Sequence, residues 1–137
     1  MIIIGLDPGL TIGMAHYDTD DETFDVFQST DPVQIMDEVE SLYQYCSTEA
    51  DRVCVIEDYL SAGHMTKEAK HTLEVLGYFK YSLHHANLKV VTPQRRKPYV
   101  KPAAALLGGG MELERDKDLK DGLSALAHCL AERASWR

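Results

Sequence analysis

Three acidic stations, far apart in the chain, carry the chemistry that this sequence can offer. The first is Asp7, in Met1–Gly13 (MIIIGLDPGLTIG). The second is Glu57, which closes Arg52–Glu57 (RVCVIE), and the third is the pair Asp118 and Asp121. Asp7 and Glu57 each terminate a run of apolar, β-branched residues of the kind that forms a buried strand. A carboxylate at the end of such a strand is expensive to bury without a partner. Two of them held close together cannot both ionise cheaply unless a cation sits between them. Oxygen-only ligands suit magnesium, with manganese as its substitute. Two such ions roughly 4 Å apart would activate a water and stabilise the leaving oxygen of a phosphodiester. The densest positive charge lies in Gln94–Pro102 (QRRKPYVKP), where Arg95, Arg96, Lys97 and Lys101 could contact phosphates and set register on a nucleic acid.

Each of these residues also has a plainer reading. Asp7 could cap the Pro8-Gly9 turn through its own backbone. Asp118 and Asp121 could simply suit the positive end of a helix dipole. Asp58 is the weaker neighbour of Glu57, because the strand pleat turns its side chain to the other face. The basic segment could be a solvated helix entry. The acids of residues 18–25 lack the spacing and turn glycine of a calcium loop. His64, His71, His84 and His85 have no flanking acid of the zinc-helix type, and Gly108-Gly109-Gly110 lacks a phosphate-cradling lysine.

The elements that must position the acids follow from periodicity. Met1–Asp7, Thr11–His16 and Thr23–Gln28 read as a meander of strands around the Pro8-Gly9 turn and a polar tip at residues 17–22. Ser29-Thr30-Asp31-Pro32 is a helix start, and Val33, Met36, Val39, Leu42, Tyr43 and Cys46 make an amphipathic stripe over residues 32–47. Thr66 caps a longer helix reaching about Ala86, with Gly77 inside it as a candidate close-packing position. Leu88–Thr92 is a fifth strand, ended by Pro93. The last helix, Asp116–Arg133, carries Leu119, Leu123, Leu126 and Leu130 on one stripe, with Asp118, Asp121, Ala125 and His128 on an adjacent face. The pattern predicts one α/β domain over residues 1–137, with a mixed five-stranded sheet flanked by helices.

The 137 residues suffice for one real core. Three cysteines without metal-type spacing, Cys46, Cys54 and Cys129, suggest buried thiols in a reducing compartment. The sequence has no basic leader with a cleavage site and no apolar run of membrane-spanning length. A net charge of -8 argues against a surface coated for non-specific nucleic-acid binding, though not against a local basic strip.

The segments IIIGLDPGLTIGMA, VCVIED and DGLSALAH, in this order and spacing, resemble the RuvC-type Holliday-junction resolvases of the RNase H-like superfamily. The compact form resembles bacteriophage members. The resemblance implies an RNase H-like fold and a magnesium-dependent endonuclease acting as a homodimer on branched DNA. It would place symmetric nicks in four-way junctions, leaving 5′-phosphate and 3′-hydroxyl ends, in the cytoplasm of a bacterial or phage-infected cell. By motif, Asp7 takes the first-strand ligand position, Glu57 the second, and Asp121 the first acid of the C-terminal pair. The second acid of that pair falls at Ser124, so that either a hydroxyl or water substitutes there, or Asp118 serves one turn earlier.

Other readings stay open beside it. The Asp-Pro-Gly turn also resembles the first phosphate loop of the actin and sugar-kinase ATPases, which need a second domain that 137 residues do not accommodate. A proofreading-type exonuclease would want Asp-x-Glu in the first strand, where Gly9 stands. A broader branched-DNA or flap nuclease, and a non-catalytic junction-binding module, use the same elements.

Overall fold

The computed structural model describes residues 1–44, 51–59, 65–84 and 86–136. The expectations for Cys46, His64 and His85 lie outside the described residues. The apolar runs form β1 (Ile2–Asp7), β2 (Ile12–Asp18), β3 (Thr23–Ser29), β4 (Arg52–Glu57) and β5 (Leu88–Val91). They make one five-stranded sheet in the order β3-β2-β1-β4-β5. The β1–β2 and β2–β3 pairings are antiparallel, whereas β1–β4 and β4–β5 are parallel. The expected mixed sheet is therefore the observed one.

Helices cover both faces. On one face lie α1 (Pro32–Tyr43) and α2 (Lys67–Ser82), which bury Ile35, Met36, Val39, Val75, Leu76 and Phe79 against Ile4, Leu6, Ile12, Met14, Cys54 and Ile56. Their starts follow the expected capping. Asp31 accepts a hydrogen bond from the Val33 amide at 2.9 Å, and Thr66 accepts one from the Ala69 amide at 3.0 Å. The α1 stripe is rotated from the one expected: Val33 is exposed and Ile35 is buried. On the other face lie α3 (Val100–Leu106) and α4 (Lys120–Ala134). The basic segment runs in as a 3-10 helix over Pro93–Tyr99, and a second 3-10 turn spans Met111–Arg115.

α4 is buried almost all round, from Gly122 to Cys129 and again at Ala131 and Glu132. It lies on the backbone of β1 and β2, which glycine makes possible at two positions. A Cβ at Gly5 would stand 2.2 Å from the Ala125 carbonyl oxygen, and one at Gly13 would stand 1.9 Å from that of Asp121. Gly77 is the opposite case and corrects the expectation of close packing there. It is exposed, with nothing within 4 Å of an added Cβ. Cys54 and Cys129 are buried free thiols, and burial pushes Cys54 up to about 12. No helix among the described residues is long and apolar enough to cross a membrane.

The two kinds of glycine should separate in a stability measurement. Gly13→Ala forces α4 off the sheet and should cost about 3 kcal/mol or more in denaturant unfolding. Gly77→Ala should gain about 1 kcal/mol.

Candidate active site

Sheet register delivers the first two carboxylates to one place. In the parallel β1–β4 pairing Gly5 stands opposite Val55 and Leu6 opposite Ile56, so Asp7 and Glu57 end their strands side by side. Side chains alternate along a strand, which puts Asp7 on the face of Ile3 and Gly5, and Glu57 on the face of Val53 and Val55. That is the face covered by α4. Asp7 also pairs with Gly13, the residue on which the Asp121 backbone rests. Asp7, Asp121 and Ser124 consequently line one cleft of about 210 Å³, walled by Arg96, Lys120 and Glu114.

The first turn of α4 is held by a residue that periodicity does not single out. Gln28, on β3, accepts hydrogen bonds through Oε1 from the Asp121 amide at 2.8 Å and the Gly122 amide at 2.9 Å. Its Nε2 donates to the Lys117 carbonyl at 3.0 Å. Leu119 at the helix cap has no side-chain hydrogen bond, so Gln28 supplies from the neighbouring strand what a capping residue usually supplies locally.

The electrostatics are those of carboxylates short of positive charge. Burial, and then the neighbouring Glu57, push Asp7 up to about 7 from its ordinary value of 3.8, with Asp121 adding to the rise. A hydrogen bond with Ser124 and the charge of Arg96 only partly oppose this. Burial also raises Asp121 against the opposing charge of Lys120. The Asp121 Oδ2 atom is buried without a hydrogen-bond partner among the described residues. Glu57 is better compensated, and its contacts converge on Oε2. Arg96 Nη1 donates to it at 2.9 Å, His128 Nε2 lies at 2.6 Å, and Ser124 Oγ stands at 3.5 Å. With the His128 Nε2–H directed to Glu57, Nδ1 has no partner among the described residues.

This donor set fits a hard divalent cation in chemistry. Asp7, Glu57 and Asp121 offer carboxylate oxygens, Ser124 a hydroxyl, and the orphaned Asp121 oxygen is an acceptor in want of positive charge. The spacing is open, because no three His, Cys, Asp or Glu side chains among the described residues are gathered tightly enough to hold one ion. Glu57 is turned instead to Arg96 and His128.

Not every candidate reaches the cleft. Asp118 is exposed and borders a separate groove with Thr11, Gln28 and Lys117, and its amide donates to Asp116 Oδ1 at 2.9 Å. Of the two ways to complete the C-terminal pair, Ser124 is the one in contact with Glu57. Asp58 pairs with Lys80 at 3.7 Å, away from the cleft. The basic segment divides: Lys97 and Lys101 are exposed, while Arg95 bonds Glu132 at 2.8 Å and Arg96 bonds Glu57. Glu132 is fully buried and also meets Lys89 and the Trp136 indole. Burial by itself would raise its pKa, but the hydrogen bonds from Lys89, Trp136 and Arg95 hold it below the usual carboxylate value. The sequence pattern places His128 beside the acids without a partner and does not single out Glu132. Their signal was the spacing of Ser124, His128 and Glu132 at four-residue steps along a helix with a buried face.

No family model matches the sequence, and no curated protein matches it significantly. Solved structures do. The RuvC of Thermus thermophilus in complex with a Holliday junction substrate aligns with a TM-score of 0.62 at 17% identity, over 98% of this chain and 96% of that one. A second T. thermophilus RuvC structure gives 0.56 at 16% identity over the same shares of the two chains. The fowlpox virus Holliday junction resolvase gives 0.53 at 17% identity, over 98% of this chain and 99% of that one. The fold is thus the RNase H-like fold of RuvC.

The raised pKa of Asp7 has a consequence for stability that can be measured. The folded protein keeps this proton between about 3.8 and about 7, where the unfolded chain has lost it, so this group's contribution to stability falls as pH rises through that window. Asp7→Asn should therefore raise the melting temperature in chelator at pH 8 and do so much less at pH 4. Saturating magnesium should narrow the difference at pH 8, by stabilising only the wild type.

Proposed function

We propose that the chain is a single-domain nuclease, over residues 1–137, that resolves four-way DNA junctions by divalent-metal-dependent hydrolysis of phosphodiesters. The observation that carries this reading is the convergence of Asp7, Glu57, Asp121 and Ser124 at the ends of adjacent parallel strands. They stand on a fold shared with RuvC and with a poxvirus Holliday junction resolvase. Magnesium, or manganese in its place, would be held by Asp7, Asp121 and Glu57, with Ser124 or a water bound to it standing where a fourth acid would. When bound, such ions supply an activated water and charge stabilisation at the leaving oxygen.

The chain's own residues do the rest. Asp7 and Asp121 concentrate negative charge at the floor of the cleft, which only a cation makes tolerable in the ionised form. His128 and Ser124 orient the Glu57 carboxylate from α4. Lys97 and Lys101, exposed beyond the same end of the sheet, are placed to take backbone phosphates. Symmetric cleavage of two strands needs two such sites, so the working form is a homodimer. Its place of action is the cytoplasm of a bacterial or phage-infected cell.

The test is cleavage of a labelled four-way junction beside a matched linear duplex and a flap, in magnesium, manganese or chelator. Wild type should place paired symmetric nicks in the junction alone, lost in chelator and in Asp7→Asn. Equal cutting of flaps would make it a general branched-DNA nuclease. Tight junction binding without cutting would make it a binding module, with Ser124 and the open donor spacing as the cause. Asp121→Asn should abolish turnover, whereas Asp118→Asn, outside the cleft, should leave the rate within about threefold of wild type, a free-energy change under 1 kcal/mol.

A further inference from the structure

Arg95 and Arg96 are adjacent on the 3-10 helix, yet they are held differently. Arg95 and Lys89 close on Glu132, whose side chain is 0% exposed, and Trp136 adds a third donor to the same carboxylate. Arg96 closes on Glu57, whose side chain is 13% exposed. The first contact is a buried knot that would be costly to open. The second lies at the edge of solvent, and Glu57 keeps a second partner in His128 if the guanidinium leaves. Arg96 also lines the cleft that holds Asp7 and Asp121, so its charge stands among the carboxylates that a divalent ion would neutralise.

We infer that Arg96 is a resident counter-cation of the carboxylate site, exchanged for a divalent ion and thereby released toward a DNA phosphate. The inference rests on the metal-site reading of Asp7, Glu57 and Asp121 and gives it a regulatory part. A monovalent guanidinium and a divalent ion compete for the same negative charge, and their mutual repulsion in a partly buried cleft favours departure of the guanidinium, whose other hydrogen bond is to the Pro93 carbonyl at 3.1 Å. Arg95 stays fastened to Glu132, so the 3-10 helix keeps its place while the neighbouring side chain swings. The freed guanidinium then joins Lys97 and Lys101 on the surface that faces nucleic acid. By linkage, ion and DNA each strengthen the binding of the other. In the ion-free protein Arg96 is withdrawn from DNA, which suits an acidic chain that should not hold duplex idly.

Two measurements test this on the whole protein. In the first, manganese binding is followed by electron paramagnetic resonance of the free ion for wild type, Asp7→Asn, Arg96→Gln and Lys97→Gln. Removing the competing guanidinium should tighten manganese binding by about tenfold in Arg96→Gln, and Lys97→Gln should match wild type. Equal or weaker binding in Arg96→Gln overturns the inference while leaving the metal site intact. Absence of any wild-type binding that Asp7→Asn removes overturns the metal site and the inference with it. The second measurement needs no variant at position 96. Phenylglyoxal labelling of wild type, read peptide by peptide by mass spectrometry, should modify Arg96 several-fold faster in manganese than in chelator. Arg95 should not change. An Arg96 rate indifferent to manganese overturns the inference.

Discussion

The structure depends on the contact between the backbone of α4 and the backbones of β1 and β2 at Gly5 and Gly13. A helix resting on a sheet through side chains stands off from it by the length of those side chains. Here two missing side chains bring the Asp121 and Ala125 carbonyls against the strands themselves. The consequence is positional. Asp121 is brought to the ends of strands that carry Asp7 and Glu57, and Ser124 and His128 come within reach of the Glu57 carboxylate. The same approach explains why the face of α4 turned to the sheet carries Gly122, Ala125 and Cys129, since bulk there would undo the contact. Gln28 completes the seat by bonding the first-turn amides from β3.

Much of this was legible before any coordinates. Asp7 and Glu57 end buried runs, and parallel pairing of β1 with β4 follows from the helix between them, so their meeting could be inferred from two motifs. What periodicity could not provide was depth. Gly5 and Gly13 lie inside stretches that read simply as strands, whereas Gly77 looks like the packing site because it interrupts a helix. Only the three-dimensional contact shows that Gly77 faces open space. Position within a helix says little about what lies above it. The roles of Arg95 and Arg96 were hidden for a related reason. A run of basic residues looks uniform in a sequence, but a 3-10 helix sends successive side chains in different directions, and two of these found buried or half-buried acids.

The polar stripe of α4 shows how a buried helix can carry charge. Ser124, His128 and Glu132 follow one another at four-residue steps, each buried or nearly so. Ser124 and His128 meet Glu57, and Glu132 meets Lys89, Arg95 and Trp136. Both acids are thereby tied to the basic 3-10 helix, Glu132 from the C-terminal part of α4 and Glu57 from the end of β4. A buried pair of this sort is weak grounds for claiming net stability, since desolvation offsets much of the Coulomb gain. Its firmer consequence is geometric. Every substitution that leaves Glu132 or Arg95 alone in that environment would strand a charge, so the register of the basic segment against α4 is narrowly specified.

Net charge bears on how such a molecule would treat nucleic acid. At -8, the chain is repelled by the phosphate backbone at long range, and that repulsion is screened beyond about 10 Å in ordinary salt. Attraction therefore has to come from cations close to the site. Of the four basic residues in the Arg95–Lys101 segment, Arg95 and Arg96 are engaged by acids, leaving Lys97 and Lys101 exposed. Two exposed lysines on an acidic body give little affinity for duplex at large, where non-specific binding is almost wholly electrostatic. Binding of a nucleic acid would then have to draw on shape, on a second subunit or on charge brought by bound divalent ions. An acidic chain of this fold is thus compatible with a nucleic acid as partner, and its selectivity would then come from geometry rather than from charge.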